Sequence, residues 1–568
     1  MTAINSWLRQ FTHVLKPPDL NFRNFRDDFW GGLTAAIVAL PLALAFGVSS
    51  GAGAVTGLYG AIFVGIFAAL FGGTPAQVSG PTGPMTVVVA TIFTVLIGRY
   101  PETGLALSFT VIALGGLFQI LFGVLRLGTY ITLMPYTVIS GFMSGIGVII
   151  ISLQIGPLFG YKGSSGVVDS LRNLPTYLTH PNGFALGLGL MTLAIVFTWP
   201  RRLNRVIPSP LLALVIGTLV SLAFGEGANL TRIGAIPTAL PQPHWPAFEW
   251  EALRVMTGYG LMLATLGSID SLLTSLVADN ITRTQHDSNQ ELIGQGIGNL
   301  LSGIFWGLPG AGATMRTVVN VQAGGKTRLS GMIHGILLLL VMLGLGRLTE
   351  PIPNAVLAGI LIKVGIDIID WSFLRRAHRL SLKATGLMYG VLFLTVFVDL
   401  ITAVAVGVFF ANLLTVKSLS DLQSKRVRAI IHPTDEALAP EEQALLEAGQ
   451  GRIMLFQLSG PMSFGAAKAI SQQMTLVQEY DVLILDLTEV PRLGVTAALA
   501  IEAMVQEACR QRREVLLVGV EGSVRDRLQR LNLLNVMDEN HVFPTRLSAL
   551  QRAIALVAPP KQELEVRS

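Results

Sequence analysis

Residues 80–88 read GPTGPMTVV, and residues 310–319 read GAGATMRTVV. Each stretch lies between long apolar runs, where an unbroken helix would be expected. Glycine is a poor helix former, and proline cannot donate a backbone hydrogen bond. In hydrocarbon an unsatisfied backbone group costs several kcal/mol, so irregular backbone survives there only when protein buries it or when it lines a polar cavity. A helix that starts at such a depth aims unpaired N–H groups, and about half a positive charge, at one point. Two such starts facing each other make an anion site from backbone donors. Thr82 and Thr314 add hydroxyls at the two starts, while Gly83, Gly312 and Ala313 let an anion approach the backbone. The competing explanation is close helix packing through small residues.

The rest of the chain fits a membrane setting. It has 568 residues, 51% hydrophobic and 13% charged, with a mean hydropathy of +0.60. Soluble domains carry about 25% charge. Apolar runs recur from Gly31 to Thr415, and beyond Lys417 charges become frequent and the runs shrink to strand length. A polytopic helical membrane domain followed by a second, soluble domain is expected. The net charge of +5 calls for no nucleic acid. With Cys509 as the single cysteine, no intrachain disulfide can form. Around residues 7–16, Trp7, Leu8, Phe11, Val14 and Leu15 set against Arg9 and Lys16 suggest a short interfacial helix; a disordered tail explains the segment equally well.

The membrane half reads as two copies of one plan. FGGTP (71–75) is echoed by FWGLP (305–309). Pro135, Val138, Gly141 and Gly147 are spaced P-x2-V-x2-G-x5-G, and Pro353, Val356, Gly359 and Gly365 repeat that spacing. Seven spans per half follow: 31–50, 54–72, 82–97, 104–123, 130–155, 184–199 and 206–224, then 252–278, 290–306, 312–322, 329–347, 353–370, 383–398 and 400–416. An odd number per repeat inverts the second half, a plan common in secondary transporters. With a cytoplasmic N-terminus, the inner loops hold Arg126, Arg201, Arg202, Arg205, Arg283, Lys326, Arg328, Arg375, Arg376, Arg379 and Lys383; the outer loops hold Arg99, Lys162, Arg172, Arg232 and Arg347. That bias places both termini inside. The expected divisions are an N-terminus at 1–24, a transmembrane domain at 25–418 (repeats about 30–225 and 251–416), a linker at 419–450, a soluble domain at 451–558 and a tail at 559–568.

Asp270 stands inside the eighth span, and an intramembrane carboxylate is by default a functional candidate. Gly267, Asp270 and Thr274 share one helical face. Carboxylate, hydroxyl and free carbonyl oxygens suit Na⁺, or the carboxylate alone carries a proton. An anion and a cation bound side by side screen each other, which couples them. A structural partnership with a base such as Arg316 is the alternative. Arg316 either adds positive potential to the anion site or pairs with Asp270. Pro41 in mid-span suggests a kinked or broken first span, with Leu40, Ala43 and Phe46 walling the pocket or, equally, a kinked helix facing lipid. Lys363 receives no role, and Asp399 reads as a loop residue. His244, His286, His334 and His378 show no metal spacing, and neither a phosphate-binding loop nor a nucleophile–base constellation occurs. No cofactor and no enzymatic activity are expected.

In the soluble part, 452–458, 482–487 and 514–520 read as strands, and 464–478, 495–512, 523–533 and 545–556 as helices. Alternation of this kind indicates an open α/β sheet. The charged stretch from Lys425 to Gln443 is a linker that contributes an edge strand.

With these residues placed, the chain resembles the SulP (sulfate permease) anion-transporter family: a fourteen-span inverted-repeat core of two bundles, core and gate, with a C-terminal STAS domain. The stretches that carry the resemblance are GGLTAAIVALPLALAFG (31–47), GGTPAQVSGPTGPMT (72–86), GSIDSLLT (267–274) and LPGAGATMRTVVN (308–320). It is strongest to Na⁺-dependent bicarbonate symporters of that family. The resemblance implies anion contacts at Thr82 and around Gly312 to Thr314, and a sodium site that includes Asp270 and Thr274. It also implies a multi-pass inner-membrane protein, embedded in lipid, that dimerises partly through the STAS domain. Many relatives have glutamate where Asp270 stands. Where STAS domains of the anti-sigma-antagonist type carry Asp-Ser-Ser/Thr-Gly, this chain has Gly494, Val495, Thr496 and Ala497, so phosphorylation at that serine position is not available. The expected function is Na⁺-coupled bicarbonate import by alternating access. A sulfate or other small-anion carrier, proton-coupled or exchanging, is the close alternative; an anion channel and a STAS-coupled sensor are the others.

Overall fold

The computed structural model describes residues 22–131, 135–164, 166–200, 203, 207–225, 227–234, 240–346, 350–398, 400–431, 438–476, 480–536 and 539–557. The expected N-terminal helix, Asp399, Arg201, Arg202, Arg205 and Arg347 lie outside the described residues. The chain divides into two compact units at Ala411/Asn412.

Helices fill each of the fourteen expected positions of the membrane unit, and two further helices occupy segments read as loops. The first half contains α1 (Phe25–Ser49), α2 (Ala54–Phe71), β1 (Ser79–Gly80), α3 (Gly83–Arg99), α4 (Gly104–Val124), α5 (Tyr136–Leu158), α6 (Val167–Thr179), α7 (Gly183–Thr198) and α8 (Ser209–Phe224). The second half contains α9 (Leu253–Thr282), α10 (Ser288–Ile304), β2 (Ala311–Gly312), α11 (Thr314–Gln322), α12 (Arg328–Leu345), α13 (Asn354–Ile368), α14 (Trp371–Leu380), α15 (Leu382–Phe397) and α16 (Leu400–Ser424). Among the described residues, six helices are individually long and apolar enough to cross a membrane; α11, at nine residues, is far shorter than a span.

The helices sort into two groups. α1 to α4 pack with α9 to α12, and α5, α7 and α8 pack with α13, with α15 against α5. The repeated pattern explains itself in this packing. Gly147 of α5 and Gly365 of α13 face each other; a Cβ on either would come 2.6 or 2.9 Å from the other's carbonyl oxygen. Gly141 abuts the Met388 backbone of α15, and Gly359 abuts Gly189 and Thr192 of α7, which holds the matching place in the other half. Pro135 and Pro353 cap the two helices in extended conformation. Helices approach this closely only where side chains are small.

Of the kinked or broken first span expected from Pro41, the break does not occur. α1 runs unbroken over 25 residues with Pro41 inside. Two thirds of its apolar stretch is buried inside the protein. Its first turn is tied down by Asp28, whose carboxylate accepts from the N–H groups of Lys326 and Thr327 (2.8 and 2.9 Å) and from the Thr327 hydroxyl (2.6 Å).

The second unit carries a five-stranded sheet, β3 (Val427–Ile430), β4 (Ile453–Ser459), β5 (Val482–Glu489), β6 (Glu514–Val518) and β7 (Val542–Phe543), in sequential order. β3 is antiparallel to β4 and the rest are parallel, so the linker does supply an edge strand. It also forms a helix, α17 (Pro440–Ala448), and α18 (Phe464–Leu476), α19 (Val495–Arg510), α20 (Gly522–Arg530) and α21 (Arg546–Val557) cover the sheet. Asp486, 1% exposed within β5, is neutralised by Arg546 Nε at 2.9 Å; Arg546 also reaches Glu442 at 3.1 Å. Burial opposes the Arg546 charge, but Asp486 and then Glu442 outweigh it and hold its pKa above the ordinary arginine value.

Candidate anion and cation site

The two breaks meet. β1 and β2 pair antiparallel, Ser79 opposite Gly312 and Gly80 opposite Ala311, which is the arrangement an inverted repeat requires. Each two-residue strand runs directly into a short helix. Thr82 is the extended N-cap of α3 and Ala313 that of α11. Pairing β1 with β2 satisfies backbone that would otherwise be orphaned, and it brings both helix starts to the same place.

Glu291, Gln295 and Asn299 lie at i, i+4 and i+8 on α10 and hold both breaks. Glu291 is 1% exposed and carries four donors: the N–H groups of Gly73 (2.8 Å) and Thr74 (2.9 Å), and the amides of Gln77 (2.7 Å) and Gln295 (2.8 Å). Gln295 also donates to the Ser79 hydroxyl at 2.6 Å. Asn299 accepts from Gly310 N–H at 2.7 Å and donates to Gly310 O at 2.9 Å. Sequence reading missed this stripe. Its signal was polar residues every fourth position between glycines on an otherwise apolar helix.

At the α3 start, Thr86 N–H is the first to bond within the helix, to Thr82 O. Pro84 has no N–H, so Gly83 and Met85 hold the free donors. Phe46 closes one side of Gly83, with Ile150 and Ile368 on the others. Of the other expected wall residues, Ala43 is buried with its carbonyl against Gly57 of α2, and Leu40 is half-buried in the surrounding core. At the α11 start two backbone donors are already used. Gly312 N–H is taken by the Ser271 hydroxyl (3.0 Å) and Ala313 N–H by Val78 O (2.9 Å). The free donors there are those of Thr314, Met315 and Arg316, because Thr317 is the first to bond back, to Ala313 O. Thr314 is exposed and Met315 is 65% exposed, so this end is open. Cavities of about 250 and 300 Å³ lie along α3 from Val87 onward, and neither is lined by Thr82, Asp270 or Thr314.

Asp270 is 8% exposed, and its Oδ2 and the Thr82 hydroxyl are both buried without a hydrogen-bond partner. The Thr82 hydroxyl faces the Asp270 carboxylate without closing a full hydrogen bond to it, and the Arg316 charge is within electrostatic reach of Asp270. Arg316 forms no ion pair with Asp270. Its Nη2 donates to Pro81 O at 2.6 Å, and its Nη1 lies over Gly80. One guanidinium from α11 therefore clamps the lead into α3 and projects its charge toward Asp270. The Thr274 hydroxyl donates to Gly312 O (2.9 Å) and shares a hydrogen bond with the Thr314 hydroxyl (2.8 Å). Asp270, Thr274, Gly312 O and Thr314 thus collect hard oxygens one helical turn deep. Gly267 is less free than expected, since its carbonyl accepts from Ser271 at 2.6 Å. Lys363 pairs with Asp367 on its own helix. Among the described residues no cluster of three or more His, Cys, Asp or Glu forms a metal site.

The sulfate permease family profile matches residues 25–391, and the STAS domain profile matches residues 447–549. The chain is 51% identical over 549 residues to the bicarbonate transporter BicA of Picosynechococcus sp., covering 95% of this chain and 96% of that one. It is 28% identical over 535 residues to the putative sulfate transporter YvdB of Bacillus subtilis, with 92% and 97% covered. Among solved structures, the transmembrane domain of a cyanobacterial bicarbonate transporter BicA superposes with a TM-score of 0.65 at 52% identity, covering 68% of this chain and 98% of that one.

Proposed function

The chain belongs to the sulfate permease family of membrane transporters, and on that premise we propose that it imports bicarbonate together with Na⁺ by alternating access. One observation carries the reading. Two short helices start at a common antiparallel pair, and a buried carboxylate oxygen and a buried hydroxyl stand there unpartnered. The anion takes the free N–H groups of Gly83, Met85, Thr314 and Met315 with the Thr82 hydroxyl, and Arg316 raises the local potential. The cation takes Asp270, Thr274 and the Gly312 carbonyl. Opposite unit charges about 6 Å apart at an effective dielectric of about 20 attract by roughly 3 kcal/mol. That is about a hundredfold in mutual affinity, enough to make each ion favour the other's binding. The α1–α4/α9–α12 group rocks against the α5–α8/α13–α16 group to expose the site alternately.

The protein sits in the plasma membrane with both termini cytoplasmic, as the basic-loop bias requires. It works as a dimer through the STAS unit, whose Phe464, Val495 and Leu499 leave apolar surface exposed. The identity to a named bicarbonate transporter supports bicarbonate as the cargo; the more distant sulfate-named relative keeps sulfate as the second reading. Purified protein in sealed vesicles decides between them. Labelled bicarbonate uptake is expected to rise with an inward Na⁺ gradient while sulfate uptake does not. Sulfate uptake exceeding bicarbonate, or bicarbonate uptake indifferent to Na⁺, would overturn the proposal; a steady uncoupled current would mean a channel.

A further inference from the structure

α6 and α14 are counterparts: each follows the helix bearing the repeated Pro/Gly pattern and precedes the next span. Their charges differ. α6 carries Asp169 and Arg172, which cancel. α14 and the first turn of α15 carry Arg375, Arg376, Arg379 and Lys383, with His378 among them and no Asp or Glu from 371 to 398. The repeat geometry therefore does not demand this charge.

The α14 side chains divide cleanly. Ala377 is buried and Phe373 and Leu374 are half-buried, while Arg375, Arg376, His378, Arg379 and Lys383 are exposed. No ion pair to these four cations occurs among the described residues; Arg376 reaches only Ser372 of its own helix, at 2.9 Å. Trp371, 46% exposed, and Leu382, 82% exposed, bracket the cations. Immediately beyond, Tyr389, Phe393 and Phe397 project outward from one face of α15, a band suited to lipid chains. Uncompensated guanidinium groups thus stand where an outward-facing apolar band begins.

We propose that α14 is a headgroup site for anionic phospholipid. Guanidinium forks match phosphate oxygens in pairs, and a basic amphipathic helix with aromatic and aliphatic anchors lies naturally in the interface. Each basic residue near an anionic surface adds roughly fivefold in affinity. The site is wired to the transport helices. Asp370 caps α14 by accepting from Phe373 N–H at 3.0 Å, and it accepts from Tyr136 (2.7 Å) and Ser140 (2.8 Å) of α5. A lipid that holds α14 therefore holds α5 as well, whichever anion is carried.

The test uses the full-length protein, stripped of lipid and offered phosphatidylglycerol or phosphatidylcholine, with bound lipid counted by native mass spectrometry. The wild type is expected to prefer phosphatidylglycerol. The combined R375Q, R376Q, R379Q and K383Q variant should lose that preference by about tenfold or more. A variant with lysine at the three arginine positions should keep most of it, which separates charge from folding. Excess inorganic phosphate should not displace the lipid. Equal retention of the two lipids by the wild type, an undiminished preference in a monodisperse glutamine variant, or displacement by free phosphate would overturn the proposal.

Discussion

Asp270 and Glu291 are both buried carboxylates, and their surroundings assign them opposite duties. Asp270 keeps an oxygen without a partner, so it has capacity for a ligand. Glu291 is saturated by four donors and has none. Asp270→Asn should therefore abolish the Na⁺ dependence of bicarbonate uptake while leaving thermal unfolding of the purified protein within a few degrees of wild type. Undiminished Na⁺ stimulation would refute the cation assignment. Glu291→Ala should act through stability instead. Each orphaned buried donor costs about 1–3 kcal/mol, so losing the carboxylate should cost roughly 3 kcal/mol or more. Glu291→Gln, which still accepts from Gly73 and Thr74, should retain about half of that. Thermal shift in detergent would order the three proteins. Asp270 stood out in the sequence as a lone acid in an apolar run. Glu291 did not, because it follows the polar stretch HDSNQ and resembles an ordinary acidic first-turn residue at a helix N-terminus.

The helices that sequence reading recovered are those whose apolar runs are continuous. α6 and α14 went unread because their apolar residues recur at helical spacing among charges, inside what looked like loops. Pro41 does not break α1, for a reason of packing. Proline inside a helix removes one hydrogen bond, but here α1 is held along its length by α2, α12, α13 and α8. Where the sequence carried two copies of a pattern, packing can be forecast more sharply. Gly147 and Gly365 let α5 and α13 touch backbone to backbone. Gly365→Leu should wedge them apart, an overpacking cost of about 1–3 kcal/mol. Gly386→Ala, on the neighbouring α15 with open space around it, should cost nothing of that kind. A cysteine pair placed across α5 and α13 should cross-link readily in the parent and poorly in Gly365→Leu; equal cross-linking would argue that the contact does not set the spacing.

The two compact units answer to different physics, and their failures should be separable. The membrane unit is held by small-residue contacts and buried polar clamps. The STAS unit is a sheet with its own core and, among the described residues, an Arg546 that pairs with buried Asp486 and with Glu442. Arg546→Met strands Asp486 without its cation, a loss of about 3 kcal/mol. Hydrogen exchange on the intact protein should show β5 and α21 losing protection while α4 and α10 keep theirs. Uniform loss across both units would mean that they unfold as one. Dimerisation is the second property assigned to the STAS unit. Val495 stands 56% exposed at the first residue of α19, Leu499 is 48% exposed one turn on, and Phe464 is 47% exposed at the start of α18. Valine at 495 cannot be phosphorylated, but it can be covered, and three apolar side chains facing water are better explained by a partner than by solvent. Placing aspartates at Val495 and Leu499 puts like charges on both sides of a two-fold interface, where the same patch of each subunit is buried. Light scattering of the detergent-purified variant should then report a monomer with an unchanged circular dichroism spectrum. A dimer that survives both aspartates would place the contact in the membrane unit and leave the STAS surface without that role.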